Sequence, residues 1–490
     1  AAARTLARLH GPAKAPGPAT LQIRYGRVGR PEQFDEERYS LRVTPVGVSI
    51  DAPTSLGVLR ALATLEQLAT TGKRPRYLPE VDIQDRPRFA WRGLSLDAAR
   101  HFLPVAVIKR NLDGMAAVKL NVLHWHLTDD QGFRVESKVL PRLHQVGSAD
   151  GLYYTQAQVR EVLAYAAARG IRVVPEFDVP SHTTSWIVAY PRLASSDSVY
   201  APYQLWRTTN VALDPTRETT YSLLDSLFTE MTALFPDPYF HIGGDENDGR
   251  EWRRSPRIVA YMRAHGMVKA DSQTVDKHQL QTYFNRRVLA MMQRLGKTMV
   301  GWDEILGPDL PKQAVIQSWR GKKGLNDAAR LGHPVLLSSG YYLDLNYPAA
   351  SHYAADPLPP DTPLTPAEQQ LGEGAVDAAL GALKREVLFD DVGAECDGDA
   401  GHDRAQGMIG QTGDHLKTPG NLCDGREIRF LGRGRISRRA VQDYDLGRTG
   451  AVRRFDGLGD LLERRHAGRH QDRLSGPRDV ADQSQIDEFR

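Results

Sequence analysis

From Trp91 onward the chain alternates short apolar runs with longer amphipathic stretches, a pattern that few folds can satisfy. Strand-like runs fall near 92–96, 121–126, 171–177, 239–243, 298–302, 314–318 and 334–338, with helix-like segments at 104–118, 155–169, 216–235 and 272–295 between several of them. Strands joined through helices pair in parallel, and this succession predicts an α/β fold of the (β/α)8, TIM-barrel type. Seven strands are legible, and closure requires an eighth. Such barrels keep their chemistry at the C-terminal ends of the strands. There Tyr239, Phe240 and Ile242 make a short buried strand, Gly243 and Gly244 permit a tight turn, and Asp245 and Glu246 follow. Taken alone, an Asp-Glu pair after a strand reads more readily as a solvated acidic turn.

The wider context reverses that reading. FHIGGDEN resembles the signature of glycoside hydrolase family 20, the β-N-acetylhexosaminidases. WRGLSLDAARHFLP, KLNVLHWHLTDDQGFRVES, VPEFDVPSH and GWDEIL resemble the same family, and the five motifs run in the family's order from Trp91 to Leu306. The likeness extends from about Val43 to about Pro360. It implies hydrolysis of terminal non-reducing β-linked N-acetylglucosamine or N-acetylgalactosamine, with small amino-sugar glycosides or oligosaccharides as partners and no cofactor. It also implies a retaining mechanism in which the substrate's own 2-acetamido oxygen is the nucleophile. Glu246 is then the general acid and later the base, and Asp245 polarises the acetamido group.

The remaining site residues follow from the same resemblance. Arg100 is expected to bind ring hydroxyls, and Asp129 and His182 to form a network around the acid, with Asp178 nearby. Ser181 stands where the family more often has glycine, a departure expected to shift the loop that carries His182. Trp302 and Trp319 are expected to wall the acetamido pocket, where an apolar aromatic surface keeps water from the forming oxazoline. Tyr342 is expected on the acetamido oxygen and Asp344 on sugar hydroxyls. The resemblance places the eighth strand near Leu371–Val376, followed by a tryptophan and a glutamate; this chain reads Asp377-Ala378-Ala379-Leu380 instead.

Ahead of the barrel, residues 1–20 read as an arm or linker, and 21–85 as a small α/β domain. In the latter, YSLRVTPVGVSIDAP predicts two strands about a turn at Pro45-Val46-Gly47. Leu56, Leu59, Leu62, Leu65 and Leu68 predict one helical stripe. The barrel is assigned to 86–376, and the segment 377–490 is anomalous. Residues 391–490 hold 16 Arg against one Lys and a single tyrosine, and all seven tryptophans lie at or before Trp319. Two readings of this segment stay open: a GC-rich gene read out of frame, or a low-hydrophobicity disordered tail.

Composition excludes little else. The net charge is +3, and the C-terminal arginines lack interleaved aromatics, so a nucleic-acid partner is not expected. No apolar run approaches the roughly 20 residues of a membrane span. Cys396 and Cys423 both lie in the anomalous segment, so cysteine says little about compartment. The chain begins at Ala1, which a removed leader or a chain cut short would each explain; members of the resembled family are commonly exported, so a periplasmic or secreted location is expected. No feature fixes an oligomeric state. Two competing readings remain. His124-Xaa-His126 with Asp129 has the spacing of a zinc site on one strand face. A sugar-binding relative without turnover would keep Arg100, Trp302 and Trp319.

Overall fold

The computed structural model describes residues 20–377 except 32–33, 70–77, 149, 206–207, 272, 308, 344, 346 and 373–374; at 20, 372 and 375–377 it describes the backbone alone. The two readings of the C-terminal segment therefore fall outside the described residues beyond Asp377.

The small domain is a four-stranded sheet covered by one helix. Its strands are β1 (Thr20–Arg27), β2 (Tyr39–Thr44), β3 (Gly47–Thr54) and β4 (Val81–Asp85), in spatial order β1-β3-β2-β4. The β2–β3 hairpin is antiparallel and turns through Pro45 and Val46, whereas β1 runs parallel to β3. Tyr39, Leu41 and Val43 alternate inward along β2 and meet Val58, Ala61, Leu62 and Leu65 of the helix Ser55–Leu68. Thr54 caps that helix, its Oγ1 accepting from the amides of Leu56 and Gly57. The leucine stripe divides in two: Leu62 and Leu65 face the sheet, while Leu56 and Leu59 lie against the barrel at Gly170. A repeat of three drifts off a helix of 3.6 residues per turn, so one face cannot hold all five leucines.

A buried ion triad fixes the small domain to the barrel. Glu37 Oε1 accepts from Arg60 Nε and Nη2 at 2.9 and 2.6 Å, and its Oε2 accepts from Arg92 Nη2 at 2.5 Å. Arg60 also donates to the Gly170 carbonyl, and Arg92 to the carbonyls of Phe89 and Lys119. Both guanidinium groups are thus spent on fixed acceptors, as buried charges must be.

The barrel strands are β5 (Trp91–Asp97), β6 (Val122–Asp129), β8 (Arg172–Phe177), β9 (Tyr239–His241), β10 (Thr298–Trp302), β11 (Val315–Ser318), β12 (Val335–Leu337) and β13 (Ala375–Asp377); β7 (Gly132–Phe133) is a short antiparallel addition to β6. The eight parallel strands form a ring, since β5 pairs with β6 on one side and with β13 on the other. Val376 pairs with Leu337, and Ala375, Arg92's partner Val376 and Asp377 run beside Trp91–Gly93. The eighth strand is therefore in place over Ala375–Asp377, the last of the described residues, where the sequence pattern had broken down. Ladder pairing uses backbone donors and acceptors, so closure does not depend on the tryptophan the resemblance led one to expect. The helices Val105–Ala117, Gln156–Ala167, Glu218–Leu234, Lys277–Arg294 and Lys322–Arg330 lie between successive strands. No helix among the described residues is long and apolar enough to cross a membrane.

Inside the ring, side chains change character from bottom to top. At the floor Arg172 is gripped by both oxygens of Asp237, at 2.7 and 2.6 Å, with its guanidinium 4.0 Å from the ring centre of Phe34, 4.9 Å from Tyr239 and 5.5 Å from Trp91. Above it Val122, Val174, Val300, Val315 and Leu336 form an aliphatic layer. Two residues further along the same strands the interior turns polar, with His124, Glu176, His241, Trp302 and Gln317. That polar layer is the base of the site.

Candidate active site

The loops after the strands bring Arg100, Asp129, Asp178, His182, Asp245 and Glu246 together at the C-terminal rim. β9 ends at His241, and Gly243 turns the chain with φ +65°, a left-handed conformation that suits glycine. A Cβ there would stand 1.8 Å from Asp178 Oδ1, so this close approach admits no side chain. Asp178 Oδ1 in turn accepts from the Gly244 amide at 3.0 Å, and Gln281 Nε2 donates to the Gly244 carbonyl at 2.7 Å. The turn is held from both faces, which aims Asp245 inward and Glu246 outward. Glu246 has φ +49° and His182, facing it, φ +55°; two non-glycine residues in this region at one point mark stored backbone strain.

Hydrogen bonds and ion pairs link these groups through Asp129 and His182. Asp129, fully buried, pairs at Oδ2 with the Arg100 guanidinium, Nη2 standing 2.9 Å away, and shares hydrogen bonds at Oδ2 with His126 Nε2 at 2.9 Å and at Oδ1 with His182 Nδ1 at 3.2 Å. The far nitrogen of His182 stands 3.3 Å from Glu246 Oε2 and 3.6 Å from Asp245 Oδ2. Burial works against charge on His182, but Asp129 and Asp245 outweigh it and raise its pKa well above the ordinary value. His182 is thus an imidazolium between carboxylates, and Ser181 has not displaced it from Asp129. Arg100 Nη1 donates to Asp97 at 3.0 Å, leaving a fifth of the side chain exposed at the rim.

Asp178 and Asp245 form a second unit. Their remaining oxygens, Asp178 Oδ2 and Asp245 Oδ1, are buried and meet no nitrogen or hydroxyl donor among the described residues. A proton on Asp178 shared with Asp245 would satisfy both. Burial and the neighbouring Asp245 charge raise the Asp178 pKa well above the usual range; for Asp245, His182 and the Asp178 proton outweigh burial and hold it low. Asp245 is accordingly a fixed anion, while the side chain of Glu246 is 39% exposed.

Trp302 closes β10, and its Nε1 donates to Glu176 Oε1 at 2.8 Å; its ring centre lies 4.9 Å from that of His241. Trp319, just beyond β11, donates from Nε1 to Glu304 Oε2 at 3.0 Å. Burial, a hydrogen bond with Asp303 and the charge of Asp245 push the Glu304 carboxyl up to about 8. Tyr342 is half-buried in the segment after β12, and Asp344 lies outside the described residues. Sequence reasoning did not select Glu176, Gln281, Glu304 or Lys277, whose Nζ donates to the Asn247 carbonyl. For Glu176 a signal existed: RVVPEF is buried throughout, and a glutamate in such a strand demands buried partners.

Four groups bring three histidine or carboxylate ligands close together, among them His124, Glu176 and His241, and His126, Asp129 and Asp178. At the two motif histidines the spacing is that of shared protons. Two ligands on one tetrahedral zinc stand about 3.3 Å apart, given bonds of roughly 2.0 Å. His124 Nε2 and His126 Nδ1 are each 2.7 Å from Glu176 Oε2, and His126 Nε2 is 2.9 Å from Asp129. These are hydrogen-bond distances, and the two histidines of the sequence motif converge on a carboxylate.

Comparison with known proteins agrees with the geometry. Residues 89–365 match the family model described as glycosyl hydrolase family 20, catalytic domain, and residues 1–86 match its domain 2. Over 340 residues the chain is 38% identical to a protein named Beta-hexosaminidase from Porphyromonas gingivalis, aligning 66% of this chain with 42% of that one. The solved Flavobacterium johnsoniae chitobiase superposes with a TM-score of 0.71 and 42% identity, covering 78% of this chain and 60% of the other. A mutant Streptomyces plicatus beta-hexosaminidase in complex with the product GlcNAc superposes with a TM-score of 0.63 and 30% identity, covering 76% and 77%. The chain thus spans less than half of the Porphyromonas relative and less than two thirds of the Flavobacterium structure. On the family match across the barrel and the small sheet before it, this chain belongs to glycosyl hydrolase family 20.

Proposed function

We propose that the chain hydrolyses terminal, non-reducing β-linked N-acetylglucosamine and N-acetylgalactosamine with retention, by substrate-assisted catalysis. The observation that carries this reading is the division between two adjacent carboxyl groups. Asp245 is enclosed and held ionised by His182 and the Asp178 proton, whereas Glu246 reaches out with its side chain 39% exposed. Retaining enzymes with their own nucleophile place two carboxyls about 5–5.5 Å apart across the bond. Neighbours in one turn suit another division of labour. The acetamido oxygen attacks C1, the C1–O bond breaks, and the Glu246 proton goes to the leaving oxygen. Asp245 takes the acetamido N–H and balances the positive charge of the oxazolinium. Water then adds to C1, Glu246 accepts its proton, and the acetamido group is restored. An intramolecular nucleophile draws on effective concentration, so no enzyme nucleophile is needed.

Arg100 offers ring hydroxyls the part of its guanidinium left free by Asp97 and Asp129, and Trp302 and Trp319 supply apolar walls. The reading assigns the acetamido oxygen to Tyr342 and sugar hydroxyls to Asp344. The names of the relatives, and the GlcNAc held by the Streptomyces plicatus protein, support an amino sugar as substrate. The test is hydrolysis of aryl N-acetyl-β-glucosaminide beside the plain β-glucoside, with a GlcNAc thiazoline as inhibitor. Turnover of the first only, with strong thiazoline inhibition, is expected. Efficient cleavage of the plain glucoside, or a covalent sugar trapped on Asp245, would reject the mechanism. Binding of free GlcNAc without any turnover would make the protein a sugar-binding relative instead.

A further inference from the structure

Glu176 is buried in the barrel interior, where a lone carboxylate needs a reason. Strand register supplies its partners: Glu176 stands opposite His126 on β6 and opposite His241 on β9. Its Oε1 accepts from Trp302 Nε1 at 2.8 Å; its Oε2 accepts from His124 Nε2 and His126 Nδ1, each at 2.7 Å. The opposite nitrogen of His126 is bonded to Asp129, which holds Arg100 and His182, and His182 faces Glu246. One carboxylate therefore connects the indole at the pocket wall to the chain of groups that ends at the acid.

We propose that Glu176 is a positioning residue for the reaction, setting the Trp302 wall and the His126–Asp129–His182 relay in register through its two oxygens. The inference rests on the hexosaminidase reading above. Its physical basis is that each oxygen has a fixed set of donors. With donors to carboxylates at both nitrogens, His126 must carry both protons, and Glu176 supplies half of the negative charge that keeps it so. The direction of the His126 pKa agrees: it is raised well above the ordinary value, with Glu176 the largest effect opposing burial. An amide in place of the carboxylate keeps an acceptor for only one of the two sides. If it faces Trp302, His126 meets an N–H and must give up its Nδ1 proton; if it is turned, Trp302 loses its acceptor.

The experiment compares wild type with Glu176→Gln, using aryl N-acetyl-β-glucosaminide kinetics from pH 4 to 9, thiazoline inhibition and thermal melting. A folded Glu176→Gln protein is expected to lose about 10–100-fold in kcat, since displacements near 1 Å cost that much. Thiazoline affinity should fall in step, KM should change far less, and the pH profile should shift. A merely structural role would lower the melting temperature and leave kcat, inhibitor affinity and pH profile of the folded protein as in wild type; that result overturns the proposal. If Glu176→Gln does not fold, His124→Phe removes one donor to Glu176 without touching the relay, and the same signature at smaller size is expected; an unchanged His124→Phe would equally reject it. Absence of hydrolysis by wild type rejects the hexosaminidase reading itself, and this inference with it.

Discussion

Replacing Asp178 by asparagine tests the shared proton on which Asp245 depends. As a neutral acid, Asp178 offers one O–H to Asp245 and one oxygen to the Gly244 amide at 3.0 Å. Asparagine offers an N–H and an oxygen in the same places, so Asp178→Asn should stay within about threefold of wild-type kcat, whereas alanine loses a hydrogen bond to a charged group worth about 1.5–3 kcal/mol, or roughly 10–150-fold. Kinetics on an aryl N-acetyl-β-glucosaminide read this directly. Stability gives an independent check. A carboxyl whose folded pKa is raised binds a proton in the native state that the unfolded chain releases above about pH 3.9. Its contribution is complete below that pH and declines as pH rises through the folded value, so melts across pH 4–9 should fall less steeply for Asp178→Asn than for wild type. Asparagine as damaging as alanine, or an unchanged slope, would mean that Asp178 acts as an anion, and the arrangement argued for Asp245 would fail.

Glu37→Gln should lower stability by about 3–5 kcal/mol, since it leaves two buried guanidinium groups short of a counter-charge. Burial opposes the Glu37 charge, but Arg60 and Arg92 outweigh it and depress the pKa. The difference from wild type should therefore be full above about pH 4.3 and vanish as pH falls through the folded value, as followed by denaturant unfolding. Glu246→Gln should abolish most turnover of substrates with poor leaving groups and spare glycosylation by good ones; equal loss across a leaving-group series would remove Glu246 from the role of acid. Glu304, with its carboxyl pushed up to about 8, contributes stability that is complete below about pH 4.3 and lost by the time pH has risen through that folded value, and Glu304→Gln should flatten the decline over that window in thermal melts. Sequencing the gene across the codons for Ala375–Leu380 should reveal a frame change whose correction supplies a tryptophan and a glutamate downstream; a verified frame would make the arginine-rich segment native.

The barrel was legible because its signals are local. Seven strands were placed within about three residues of their observed ends, because an apolar run between amphipathic helices has few other uses. The differences have local causes too. The strand expected at 239–243 stops at His241 because Gly243 has already turned the chain, and the helix expected from 272 begins at Lys277, where Asp276 accepts from the His278 amide. The short helix of the small domain shows the limit of counting residues: Leu59 belongs to the barrel interface and Leu62 to the sheet, and only the docked structure separates them.

The rim residues were legible through the family motifs, but the layer beneath them was not, and the reason is one of dimension. Alternation along a strand says that His124 and His126 share a face; it does not say which neighbouring strand meets them, or in what register. That second coordinate is what puts Glu176 opposite His126 and His241 and turns an apparent pair of metal ligands into donors to one carboxylate. The same holds at the turn that carries Asp245 and Glu246. Gly243 read as a residue that lets the backbone bend, yet its tighter requirement comes from Asp178, 65 residues earlier, whose carboxyl occupies the space a side chain would need. The proposed reaction depends on proton positions among groups that meet only across strands: on that reading Asp178 keeps a proton so that Asp245 can lack one, and His126 and His182 hold theirs so that Asp129 and Glu176 stay charged inside the barrel. A sequence names the titrating groups, whereas the register decides which of them carries the proton.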